Sequence, residues 1–99
     1  MADGSPDKSG ETLVRHAVID NQRGLHARAA AKFVKCLNEF EADVTVVKDG
    51  QQVSGFSIMG LMMLAAAKGT ALEIRARGPQ AAEAIDALCR LIADRFHED

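Results

Sequence analysis

Gly24-Leu25-His26-Ala27-Arg28-Ala29-Ala30-Ala31-Lys32-Phe33-Val34 is the stretch on which the fold and the chemistry of this chain turn. A glycine punctuates the chain and the run after it is rich in strong helix formers, so a loop becomes a helix at His26. Ala30, Phe33, Val34 and Leu37 recur at i, i+3, i+4 and i+7, which is one face of a helix over residues 27–39. The first turn of such a helix carries N–H groups with no intrahelical partner, and the macrodipole adds partial positive charge there. That end is an anion site. A histidine at its mouth is placed to receive a phosphoryl group, with the N–H groups of Ala27 and Arg28 and the Arg28 guanidinium on the phosphate oxygens. Without that chemistry, the same histidine is a solvated residue or a helix cap.

On either side of this junction, short strands and helices follow one another. Residues 12–19 read as a strand with imperfect alternation, because Arg15 and Ala17 share the parity of Leu13 and Ile19. Residues 20–24 form a turn-rich loop. Val44, Val46 and Val47 mark a strand over 43–48, and Asp49-Gly50 signals a tight hairpin into 51–54. Ser57 precedes a second, short apolar helix that its hydroxyl caps and Gly69 stops. Leu72, Ile74 and Ala76 alternate with Glu73, Arg75 and Arg77 in a half-exposed strand. After Gly78-Pro79, the positions Ala81, Ile85, Leu88 and Ile92 predict a last helix running to about Phe96. The order β-α-β-β-α-β-α predicts an α+β domain, its helices packed on a sheet whose other face is wet.

Composition narrows the function. Ninety-nine residues suit one domain, with 47% hydrophobic and 26% charged residues, as in ordinary globular proteins. A net charge of −2, no Trp, no Tyr and only four Phe argue against a nucleic-acid partner. The longest apolar run, residues 58–67, is interrupted by Gly60 and is too short for a membrane span. Residues 1–11 read as a disordered tail with no secretory signal, 12–96 as the domain, and 97–99 as a short acidic tail. Cys36 and Cys89 lack metal-ligand spacing and read as reduced thiols, which points to the cytoplasm. His16, within a strand, and His97, in the tail, receive no role.

Residues 21–34 resemble the active-site segment of the HPr family, phosphocarriers of the bacterial phosphoenolpyruvate-dependent phosphotransferase system. Ser57-Ile58-Met59-Gly60-Leu61-Met62-Met63-Leu64-Ala65-Ala66 is similar to that family's regulatory serine and short second helix. The resemblance implies an open-faced β-sandwich, a four-stranded antiparallel sheet ordered 1-4-2-3 with three helices on one face. It implies that His26 is phosphorylated on its δ nitrogen by enzyme I and passes the group to a IIA protein or domain. Such a protein is a carrier without turnover of its own and needs no cofactor or metal, and a monomer suits a shuttle of this kind. The resemblance also implies phosphorylation of Ser57 by an HPr kinase/phosphorylase; without it, Ser57 is a helix cap. A second helix this short cannot bury every side, so Met59 and Met62, with Ala27, Ala31 and Ile58 beside them, read as a partner face, whereas Leu61 and Leu64 read as core. Exposed methionine suits a surface that fits several partners.

One position departs from the family. Ala29 stands where most HPr proteins have proline, which restores a backbone donor and loses about 0.4–1 kcal/mol of chain stiffening. Variants without that proline resemble the nitrogen-related phosphocarriers (NPr), as do Gly78-Pro79-Gln80 and Phe96-His97-Glu98-Asp99. The other function class consistent with the residues is a regulatory module of the same fold that docks without phosphotransfer.

Overall fold

A computed structural model describes residues 11–98; residues 1–10, which hold most of the expected tail, and Asp99 lie outside the described residues. The elements are β1 (Leu13–Val18), α1 (Ala27–Leu37), β2 (Asp43–Lys48), β3 (Gln51–Ser54), α2 (Ile58–Met63), β4 (Ala71–Arg77) and α3 (Ala81–Ala93). All strand pairs are antiparallel and the sheet order is β1-β4-β2-β3. The parity of the strands decides which face meets the helices. Val44 and Val46 of β2 and Leu72, Ile74 and Ala76 of β4 are buried in one core with Ala30, Phe33 and Leu37 of α1 and Ile85, Leu88 and Ile92 of α3.

The register explains the poor alternation of β1. Leu13, Arg15 and Ala17 lie opposite Ala76, Ile74 and Leu72, on the helix side of an edge strand. Arg15 sits at the rim, where its guanidinium donates to Asp86 of α3 at 3.0 Å. Val14, His16 and Val18 take the open face, where His16 lies 3.4 Å from Glu73. The hairpin between β2 and β3 turns on Asp49 and Gly50, with φ of 50° and 81°, the two left-handed residues of a type I′ turn.

Three expectations about helix ends change. Helix α1 ends at Leu37 rather than near Glu39. Helix α2 ends at Met63, with Ala65 left-handed just beyond it, and Gly69 instead turns the chain into β4. The carbonyls of Leu64 and Ala65 receive the Lys48 ammonium, at 2.8 and 3.4 Å, so a cation closes this end. Helix α3 stops at Ala93. Arg95, Phe96 and His97 then all have positive φ, at 56°, 53° and 61°, and form a single left-handed turn. Phe96 lies four residues after Ile92 and so continues the helical spacing, yet it reaches the core by this reversal and is fully buried.

Phe96 is therefore the anchor that returns the chain toward α1. Phe96→Ala is expected to lower the unfolding free energy by about 3 kcal/mol in urea denaturation, the loss typical of a buried aromatic ring.

Candidate functional site

The loop before α1 is built around two residues with no freedom to vary. Gly24 has φ +67°, and a Cβ there would stand 2.4 Å from the Ala66 carbonyl oxygen. Leu25 is buried, and its N–H donates to that same carbonyl at 2.9 Å. The loop is thus pressed onto the segment after α2, and the next residue, His26, becomes the cap of α1. The His26 carbonyl accepts from Ala30 N–H at 2.8 Å, and its ring Nδ1 accepts from Arg28 N–H at 3.2 Å. The His26 side chain is 22% exposed, neither packed inside nor loose in solvent.

The opposite ring nitrogen is also engaged. His26 Nε2 pairs with Glu98 Oε2, and the second carboxylate oxygen accepts from Asn21 Nδ2 at 3.1 Å. Asn21 is 1% exposed and its Nδ2 also donates to the Gly24 carbonyl at 2.8 Å, tying carboxylate and loop together. The hydrogen bond from His26 holds the Glu98 carboxyl below the usual carboxylate range. Partial burial opposes this, while the Asn21 hydrogen bond and the charges of His26 and Arg23 add to the lowering.

A groove of about 350 Å³ beside this pair is lined by Gln22, Arg23, Arg28, Lys32, His97 and Glu98. Arg23, Arg28 and Lys32 make it a candidate anion site, and Glu98 links it to the ring. A groove of about 410 Å³ between α1 and α3 is lined by residues including Cys36, Phe40 and Leu91 and does not reach His26.

Of the residues singled out in the sequence, His26, Ala27 and Arg28 come together at the start of α1, with Ala27 and Arg28 exposed. Ser57 caps α2, its Oγ accepting from Gly60 N–H at 2.9 Å. Ala31, Ile58, Met59 and Met62 are all exposed, whereas Leu61 and Leu64 are buried. Sequence reasoning missed Asn21, Arg23, Lys32 and Glu98. Glu98, expected in a short tail beyond the domain, is brought to the ring by the left-handed turn. Cys36 and Cys89 are half-buried free thiols, and burial pushes both thiol pKa values up. No helix of the described residues is long and apolar enough to cross a membrane.

Comparison with known proteins points the same way. Residues 13–94 match the family model described as the PTS HPr component phosphorylation site. The phosphocarrier protein HPr of Neisseria meningitidis serogroup A is 51% identical over 80 residues, which cover 81% of this chain and 90% of that protein. The phosphocarrier protein NPr of Shewanella violacea is 38% identical, covering 87% and 94%. The crystal structure of HPr-C-His from Thermoanaerobacter tengcongensis superposes with a TM-score of 0.84 at 39% identity, covering 88% of this chain and 98% of that one. Relatives named HPr and NPr are thus both among the proteins this chain is similar to.

The lowered Glu98 pKa predicts how stability varies with acid. Between the depressed native value and the ordinary value near 4.3, the unfolded chain binds more protons than the folded one, so stability rises with pH there. Glu98→Gln removes this contribution. Thermal melts from about pH 6 to about pH 2 should show wild type ahead of the variant at the upper end. The gap should close as the pH falls through the depressed value.

Proposed function

Because this chain belongs to the HPr family, the phosphocarriers of the phosphoenolpyruvate-dependent phosphotransferase system, we propose that His26 is its phosphoryl-carrying residue, charged by enzyme I and discharged to a IIA protein or domain. The observation that carries this reading is the ring geometry. Nδ1 accepts from the Arg28 N–H in the first turn of α1, while Nε2 is held by a carboxylate. A neutral imidazole keeps one lone pair for attack on phosphorus, and here the available pair is that of Nδ1. The Arg28 N–H that donates to Nδ1 in the resting protein then lies next to the incoming phosphoryl oxygens, as do the Ala27 N–H and the Arg28 side chain. These donors act where negative charge develops and require little rearrangement. Arg23 and Lys32 add positive charge to the adjoining groove.

A carrier meets donor and acceptor in turn with one surface, and the exposed side chains of α2 stand beside α1 for that purpose. Ala27, Ala31, Ile58, Met59 and Met62 form the docking face in this reading, with Met63 exposed as well. Flexible thioether side chains fit more than one partner shape. The cytoplasm is the compartment in which such a carrier and its reduced thiols belong.

Phosphorylation of Ser57 by an HPr kinase/phosphorylase supplies the regulation. A dianion at this cap leaves the helix N–H groups satisfied but places negative charge within the docking face.

Two experiments test these assignments. Incubation with phosphoenolpyruvate and enzyme I is expected to give an acid-labile, base-stable adduct on His26 and none on His26→Ala; labelling of the variant would refute the site. Ser57→Asp is expected to keep its far-UV circular dichroism and accept phosphate from enzyme I several-fold more slowly, and an unchanged rate would remove the regulatory role.

A further inference from the structure

Glu98 is separated from His26 by 72 positions, yet its carboxylate is the group on Nε2. Several independent contacts hold it there. Asn21, one of the most buried polar residues described, spends one Nδ2 hydrogen on Glu98 Oε1 and the other on the Gly24 carbonyl, so carboxylate and active loop share one bracket. The turn that delivers Glu98 consists of three left-handed residues, none of them glycine. Such a conformation persists only where its surroundings over-determine it, and it clusters at functional sites. Here Phe96 is locked in the core, its carbonyl accepts from Lys32 Nζ at 2.6 Å, and Arg95 pairs with Asp20 at 3.2 Å.

We propose that Glu98 is a positioning residue for phosphoryl transfer, which keeps the ring proton of His26 on Nε2 and balances the charge of the phosphorylated ring. This rests on the carrier reading above and deepens it. An ionised carboxylate is acceptor-only, so it selects the tautomer with hydrogen on the nitrogen it faces. That leaves the Nδ1 lone pair for phosphorus and closes Nε2 to it.

Charge and protons then balance without any proton leaving the ring. As the group arrives, the donor's bond to phosphorus breaks and its electron pair stays with the donor. The Nδ1 pair forms the new N–P bond. The ring, substituted on Nδ1 and still bearing hydrogen on Nε2, now carries one positive charge, which the Glu98 carboxylate offsets. As the group departs to the acceptor, the N–P pair returns to Nδ1 and the neutral Nε2–H ring is restored. Arg23, Arg28 and Lys32 share one groove with Glu98, so cations for the phosphate oxygens and a carboxylate for the ring are supplied side by side.

The test uses the full chain as wild type, Glu98→Ala and Glu98→Gln, with folding checked by circular dichroism. Nitrogen-proton correlation spectra of the imidazole, recorded on the protein alone in alkaline buffer, are expected to show the Nε2–H tautomer almost exclusively in wild type. Glu98→Ala, in which the Arg28 N–H on Nδ1 alone favours that tautomer, should shift toward a mixture. Phosphorylation by enzyme I should then show kcat lower by about tenfold in Glu98→Ala, the lower end of the loss when the partner that orients a metal-bound histidine is removed, with KM little changed. Glu98→Gln, which can still accept from Nε2–H but carries no charge, should retain the tautomer and lose rate. An unchanged tautomer ratio in Glu98→Ala, or faster transfer in that variant, would overturn the assignment. The tautomer measurement needs no partner, so a wild-type protein that never takes up phosphate would sink the carrier reading and leave the Glu98 result standing by itself.

Discussion

An imidazole takes up a group fastest when its ring is held still on both sides while one face stays open. The hydrogen bonds at Nδ1 and Nε2 of His26 meet that demand, and much of the nearby structure is arranged to supply them. Nδ1 needs the first turn of α1 directly beneath it. That requires Gly24 to lie against the backbone of Ala66, closer than any side chain would permit. Nε2 needs a carboxylate from the other end of the described chain. Asn21 joins the two requirements, because one amide group bonds both the loop carbonyl and the carboxylate. Its own Oδ1 is buried with no hydrogen-bond partner among the described residues.

How far this was legible in the sequence depends on the range of the interaction concerned. The hairpin at Asp49-Gly50, the Ser57 cap and the start of α1 are set by neighbours within a few residues, and their residue types announce them. The sheet order came through the family resemblance, since alternation names the buried face of a strand but not its neighbour. Arg15 on the core parity of β1 looked like a flaw until the register placed it at an edge, within reach of Asp86. Phe96 misled for a physical reason. It satisfies the spacing of α3 while belonging to a turn of opposite hand, and periodicity cannot report handedness. Glu98 was invisible for a related reason, because a polar residue among polar residues carries no local sign of a partner 72 positions away.

The second helix shows how little structure a docking surface needs. Six residues cannot sustain a helix alone in water. Leu61 and Leu64 sink into the core, Ser57 closes one end and Lys48 the other. Gly60 is there because Ser57 and Val53 lie so near that a Cβ would stand about 3.1–3.2 Å from their atoms. Fixed at these points, the helix can leave Ile58, Met59, Met62 and Met63 in solvent. Rigid attachment below and soft side chains above suit the proposed docking face, since a partner can mould the methionines without moving the ring of His26 beside them.

The left-handed turn couples the stability of the fold to the site. Three non-glycine residues in that region cost on the order of 3–6 kcal/mol together. Burying the Phe96 ring returns about 1.5–3 kcal/mol, which leaves a deficit. Hydrogen bonds worth about 0.5–1.5 kcal/mol each must supply the rest, and those present are Lys32 to the Phe96 carbonyl, Arg95 to Asp20, and the two contacts of Glu98. Two of these four contacts end on the carboxylate that faces the ring. The turn is thus held partly by the site it completes, so a change of charge on His26 alters the balance that keeps Glu98 in place. A carrier whose ring alternates between neutral and cationic forms would feel the difference as a tightening of this turn when charged and a loosening when discharged.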